Sequence, residues 1–153
     1  MNPFELLKAD HEKVSGIFDK LEKTTERGVK TREELFAQLK QELDVHAHIE
    51  ESIFYPVLKR EAETREITLE GFEEHHVIKT LLKELEDTPV DTEQWTAKLK
   101  VLKENVEHHV EEEEDEMFKS AREAIDQPIL EQLGQQMHEE KKNRQQQHKS
   151  ATG

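Results

Sequence analysis

His46-Ala47-His48-Ile49-Glu50 returns 63 positions later as His109-Val110-Glu111-Glu112-Glu113. In each stretch a histidine and a glutamate stand four residues apart, which puts both side chains on one face of a helix, about one turn from each other. Both pairs also occupy positions where an apolar residue belongs. Around the first, Leu39, Leu43, His46, Glu50, Ile53 and Val57 are spaced alternately four and three apart. Around the second, Trp95, Leu99, Leu102, Val106, His109, Glu113 and Met117 follow nearly the same spacing. Such spacing is the buried stripe of a bundled helix. Taking a lone carboxylate out of water costs several kcal/mol, so core positions of this kind call for a charged partner or a metal ion.

The rest of the composition narrows what that partner is. The chain has 153 residues, enough for one domain with a real core, and its 33% hydrophobic residues fall on periodic stripes among 38% charged ones. A formal net charge of −14 argues against nucleic acid or an anionic membrane as partner and favours cations. The absence of cysteine excludes disulfides, thiolate zinc sites and cysteine-held clusters, leaving imidazole and carboxylate as ligands. No apolar run approaches the roughly 20 residues needed to span a bilayer, and Met1-Asn2-Pro3-Phe4-Glu5 lacks the features of a signal peptide, so a cytoplasmic location is expected.

Four long helices are predicted. The first opens at Asn2-Pro3 and carries the stripe Phe4, Leu7, His11, Val14, Phe18, Leu21. The second is expected from Thr31, with Glu34 completing a capping box, to about Ala62, bent or irregular at Pro56. The third begins between Thr64 and Thr68 and ends near Asp87, with the stripe His75, Ile78, Leu82, Leu85. The fourth starts at Asp91 or Thr92 and reaches about Ile125. A short fifth helix follows Asp126-Gln127-Pro128 with Leu130, Leu133 and Met137 on one side, and residues 141–153 form a polar tail, frayed or disordered. The fold class is all-α: an antiparallel up-down-up-down four-helix bundle over residues 1–140 with a short C-terminal helix.

An internal repeat organises the candidates. His11, Val14, Phe18 and Leu21 match His75, Ile78, Leu82 and Leu85 at a displacement of 64, while His46, Glu50, Glu51, Phe54 and Tyr55 match His109, Glu113, Glu114, Met117 and Phe118 at 63. Each half thus supplies one single histidine and one histidine–glutamate pair, and four histidines with two glutamates can meet in mid-bundle. Nitrogen and oxygen ligands without sulfur suit iron or manganese, with zinc and copper open by ligand type. The remaining histidines, His48, His76, His108, His138 and His148, are expected in solvent. Glu111 to Glu116 reads as a solvated acidic face apart from Glu113. Tyr55 and Phe118 read as packing residues, and Lys79 as a stem reaching the surface.

His11, the stretch His46-x-x-x-Glu50-Glu51-x-x-Phe54-Tyr55-Pro56, then Glu74-His75-His76, then His109-x-x-x-Glu113-Glu114-x-x-Met117-Phe118 resemble the motifs of the hemerythrin-like (HHE cation-binding) family, and the likeness extends to about residue 140. The resemblance implies a non-haem di-iron centre with an oxo or hydroxo bridge. In it Glu50 and Glu113 bridge both irons, His11 and His46 hold one, and His75 and His109 the other. Oxygen-carrying hemerythrins have a further histidine one turn after the ligand matching His75, where this chain has Lys79. The remaining ligand set is similar to that of the repair-of-iron-centres proteins, whose extra N-terminal cysteine-bearing domain is not expected here. The expectation is therefore a protein that binds, and reduces or disproportionates, dioxygen, hydrogen peroxide or nitric oxide in an oxidative or nitrosative stress response. Catalase-like or nitric-oxide/oxygen-reducing activity is left open. Iron sensing, storage or delivery, and reversible oxygen carriage, are the alternatives. The expected partners are the small ligand and an electron donor that the sequence does not name, for a monomer.

Overall fold

The computed structural model describes residues 2–152, with side chains to 148. Two helical hairpins form the bundle. The first is α1 (Pro3–Glu22) with α2 (Val29–Ile49), which passes through a π-helical turn, Glu50–Phe54, into α3 (Tyr55–Arg60). The second is α4 (Ala62–Glu86) with α5 (Glu93–Glu112), which passes through a second π turn, Glu113–Met117, into α6 (Phe118–Ala124). The last helix, α7 (Gln127–Thr152), packs on α1 and α2.

Two caps work as the sequence suggests. The Asn2 side chain accepts from Phe4 N at 2.8 Å with Pro3 in the first turn, and Thr92 Oγ1 accepts from Trp95 N at 3.2 Å. The Thr31–Glu34 capping box does not form. α2 starts earlier, at Val29 after Gly28, which places Arg32 inside its first turn. That guanidinium is buried, donating to Thr24 Oγ1 at 2.9 Å and to the Val90 carbonyl at 2.7 Å, and lying 4.9 Å from the Trp95 ring centre. It ties the α1–α2 loop to the α4–α5 loop. The junction of α3 with α4 is also tighter than predicted: only Glu61 is extended, and the buried Thr64 hydroxyl donates back to the Leu58 carbonyl at 2.5 Å.

The π turns displace the core stripe. Tyr55 N bonds to Glu50 O and Phe118 N to Glu113 O, five residues back in each case, so each turn holds one residue more than an α-helical turn. Downstream of the first, Phe54 and Leu58 are buried, whereas the predicted Ile53 and Val57 are only half-buried. Pro56 is not the common cause, since Lys119 occupies the matching position of the second turn. What the turns share is a glutamate at their first residue, the pair singled out by the repeat.

The C-terminal helix is 26 residues long rather than short, and no break separates a tail at residue 141. Leu130, Leu133 and Met137 are buried in the apolar cluster that also holds Phe4, Phe54, Tyr55 and Phe118. Beyond them Glu, Lys, Arg and Gln are good helix formers, and Lys141 and Arg144 find partners on the bundle. A second apolar cluster, built on Phe18, Leu39, Leu82, Trp95 and Leu102, fills the loop end of the hairpins. The six singled-out residues lie between the two.

Candidate metal centre

His11, His46, Glu50, His75, His109 and Glu113 converge, each at most 7% exposed and both glutamates at 0%. The hairpins present their histidines in matched pairs: the His11 and His46 rings have centroids 4.9 Å apart, those of His75 and His109 4.8 Å. The glutamates lie across both pairs. Glu50 Oε1 is 3.1 Å from His46 Nε2 and 2.9 Å from His75 Nε2. Glu113 is 3.1 Å from His11 Nε2 through one oxygen and 2.9 Å from His109 Nε2 through the other. Two groups here have ligand atoms placed to share an ion: Glu50, His75, His109 and Glu113 form one, and His11, His46 and Glu113 the other.

Every inward Nε2 is matched by an outward Nδ1 on a carboxylate. His11 Nδ1 lies 2.7 Å from Glu114, His46 Nδ1 3.0 Å from Asp10, His75 Nδ1 2.8 Å from Glu51, and His109 Nδ1 2.6 Å from Glu74. An Nδ1–H donated outward leaves the inward nitrogen its lone pair, the arrangement that orients imidazoles as metal ligands. These four carboxylates were not recognised as site residues, although the repeat marks them. Asp10 and Glu74 immediately precede the single histidines, and Glu51 and Glu114 immediately follow the paired glutamates. Glu51 and Glu114 each hold the single histidine of the opposite hairpin. Glu114 thus departs from the acidic face expected over Glu111–Glu116, of which Glu111, Asp115 and Glu116 are exposed.

Burial and neighbouring charge oppose each other throughout the cluster. Burial disfavours protonated His46, His75 and His109, but the carboxylates outweigh it: Glu50 and Asp10 hold His46 well above its ordinary value, Glu50 and Glu51 raise His75, and Glu113 and Glu50 hold His109 well above. Burial likewise opposes ionisation of Glu50, yet His46 and its other neighbours draw it well below the usual carboxylate range. Tyr55, read as packing, in fact reaches the centre. Its hydroxyl donates to Glu113 Oε2 at 2.6 Å and lies 3.4 Å from Glu50, His75 and His109, while its ring stacks on His75. Burial and then Glu113 push its phenol well above 10, so it stays a neutral donor. The matching Phe118 lies parallel to His11 without a hydroxyl.

The donor set fits a cation. His11 Nε2, His46 Nε2, Glu50 Oε2 and Glu113 Oε1 are buried and make no hydrogen bond, although His11 and His46 have carboxylate oxygens only 3.1 Å away. These atoms sit side by side without alignment, each forfeiting about 1–3 kcal/mol of polar pairing unless a metal takes the lone pairs. Lys79 does not enter the cluster: its ammonium lies 3.1 Å from Glu51 on the outside. Among the other histidines, His76 and His108 are exposed as expected, whereas His48 is half-buried, 3.1 Å from Glu140 and 3.3 Å from Arg144. His108 forms a looser exterior group with Glu74 and Glu112, and the Glu112 carboxyl, pressed against Glu74, is pushed up to about 7.

A four-helix bundle with carboxylate-backed histidines around two shared glutamates defines a cation-binding helical domain. The chain matches the family model of the hemerythrin HHE cation binding domain over residues 2–121, and it belongs to that family. It is similar to the crystal structure of a hemerythrin HHE cation binding domain-containing protein from Mycobacterium kansasii, with TM-score 0.84 and 28% identity over 94% of this chain and 87% of that one. It is also 26% identical over 125 residues to a protein of Nostoc sp. described as a DNA nickase, covering 80% of this chain but 34% of the relative, about a third of its length. The fold and family expected from the motifs are therefore borne out. Among the described residues no helix is long and apolar enough to cross a membrane.

Proposed function

We propose that the protein is a non-haem di-iron protein that binds a small molecule, dioxygen, hydrogen peroxide or nitric oxide, and reduces or disproportionates it. The observation that carries the reading is the sharing of two buried glutamates between two histidine pairs. His11 and His46 would hold one iron, His75 and His109 the other, with Glu50 and Glu113 between them. Iron bound there would supply the electrons and open coordination positions that small oxidants require. The protein's own groups do the rest. The four outer carboxylates fix the imidazole tautomers, and the Tyr55 hydroxyl orients Glu113.

A cavity of about 30 Å³ beside the histidines is walled by Val14, Leu43, Ile78, Leu82 and Val106. It is large enough for a water-sized or diatomic molecule and too small for an organic substrate. A chamber of this size with a largely apolar wall favours chemistry on a small molecule. Because Lys79 pairs with Glu51 and adds no imidazole, turnover is favoured over reversible carriage. The activity named for the Nostoc relative is not extended to this chain, since a net charge of −14 opposes binding a phosphate backbone.

The test is anaerobic addition of ferrous iron, metal counting with an absorption spectrum, and stopped-flow mixing with oxygen or peroxide. Two irons per chain, irreversible oxygen uptake and peroxide consumption are expected. Oxygen uptake that reverses under vacuum with no peroxide consumed would make the protein a carrier. Failure to retain iron would remove the di-iron reading altogether.

A further inference from the structure

Three of the four carboxylates behind the histidines are glutamates with side chains partly in water: Glu51 at 29% exposure, Glu74 at 23% and Glu114 at 31%. The fourth, Asp10, is shorter and only 3% exposed. Solvent cannot stabilise its charge, so another group must. The ammonium of Lys141 lies 2.5 Å from Asp10 Oδ1, while Asp10 Oδ2 lies 3.0 Å from His46 Nδ1. Lys141 comes from α7, beyond the residues 2–121 that match the family model. Its position is secured one turn earlier by Met137, which is 0% exposed in the apolar cluster. The residue before Lys141, Glu140, meets His48 at 3.1 Å.

From this geometry we infer that Lys141 is a positioning residue of the metal centre, acting through Asp10 to hold His46. The inference rests on the reading of the centre as metal-binding, and it assigns α7 a part in the site beyond packing. Two groups hold the buried Asp10 carboxylate, His46 Nδ1–H and the Lys141 ammonium; without the ammonium the carboxylate keeps only the first and is free to turn away. That movement withdraws the acceptor from His46 Nδ1–H. Loss of such a backing group typically weakens a metal site by about 10–100-fold; removal of the group behind it is expected at the lower end.

The experiment compares Lys141→Met, which keeps the stem and removes the charge, with Lys141→Arg, with Lys142→Ala as an exposed neighbour control, and with Asp10→Asn alone and combined with Lys141→Met. Iron-loaded protein is challenged with a ferrous chelator. Lys141→Met is expected to release one of its irons about tenfold faster than the parent. Lys141→Arg and Lys142→Ala should match the parent, and Lys141→Met should add nothing once Asp10→Asn is present. A second readout needs no metal. The His46 Nδ1 proton, followed by NMR in metal-free protein, should exchange faster in Lys141→Met and at the parent rate in Lys141→Arg. Parent-like release and exchange in Lys141→Met, or an undiminished effect in the Asp10→Asn background, would overturn the inference. A parent that retains no iron would instead defeat the di-iron reading, and the NMR comparison would still decide whether Lys141 acts on His46.

Discussion

Removing one oxygen atom, by Tyr55→Phe, isolates the group that most clearly breaks the twofold pattern of the centre. The Tyr55 hydroxyl donates to Glu113 Oε2 at 2.6 Å, and both residues are 0% exposed, so water cannot replace the lost donor. A hydrogen bond to a charged buried group contributes about 1.5–3 kcal/mol, and its loss leaves Glu113 partly unsatisfied. For a domain of this size each kcal/mol moves the melting temperature by roughly 2–4 °C, so a fall of roughly 3–12 °C is expected in metal-free protein near neutral pH. Iron-loaded protein should lose less, because cations would then engage the same carboxylate. The assay is thermal unfolding followed by circular dichroism, with chelator and after anaerobic iron loading. A metal-free melting temperature within about 1 °C of the parent would show that the hydroxyl does not support Glu113.

Glu50→Ala and Glu113→Ala should each lower the iron content below that of the parent. With it goes the mass-action stabilisation of about 2.7 kcal/mol at ligand one hundred times its Kd, or roughly 5–10 °C; either variant binding two irons as tightly as the parent would refute the shared-glutamate assignment. Metal-free protein should lose stability as pH rises above 6.5, because the folded-state values of His46, His75 and His109 lie above that of the free side chain and their stabilising contribution is complete only below it. It should also lose stability as pH falls below about 4.5 through the lowered values of Glu50, Glu51 and Glu74. Melting curves across this range check both limbs, and metal-loaded protein, its imidazoles already neutral, should lack the alkaline one. Gly71→Ala would set a methyl group 3.0 Å from the Tyr55 hydroxyl and 3.1 Å from its ring. Overpacking of about 1–3 kcal/mol against a helix-propensity gain of about 1 predicts net destabilisation with Tyr55 displaced, and a more stable variant with unchanged spectrum would contradict it.

The parts of this architecture that follow from apolar periodicity were legible beforehand, because a stripe records which side of a helix is dry. His11 and His75 were identifiable by their place on such stripes, and His46, Glu50, His109 and Glu113 by the same rule together with the repeat. The π turns were not, because a widened turn has no residue signature of its own; Pro56 drew attention to the right region for a reason that the second turn does not share. Asp10, Glu51, Glu74 and Glu114 were hidden by abundance: among 36 acidic residues, a carboxylate beside a ligand is unremarkable until the opposite helix is in place. Tyr55 was missed because helical phase cannot distinguish a ring that packs from one whose hydroxyl continues into the centre. Lys141 escaped notice because its stretch carries no apolar stripe, and it is held by the dry Met137 one turn earlier.

The connectivity of the centre also bears on how the bundle holds together. Glu50 lies beside His46 of its own hairpin and His75 of the other, while Glu113 lies beside His109 and His11 in the same crossed fashion. Glu51 and Glu114 cross as well, each backing the single histidine of the opposite hairpin. Each hairpin supplies one histidine pair, but the carboxylates around each pair come from both hairpins, so the cluster is complete only when the hairpins are docked. Each half of the centre has its own departure from symmetry. Tyr55 stands on the His75–His109 side where Phe118 faces His11, and Lys141 reaches only Asp10, on the side of His46. Two metal ions held here would therefore meet unlike surroundings: one close to a neutral hydroxyl donor, the other backed by a carboxylate whose charge is balanced by a separate helix. An inequivalence of this kind would let two chemically identical ligand sets differ in affinity, and on the inference drawn for Lys141 the ion on its side would be the one whose retention depends on α7.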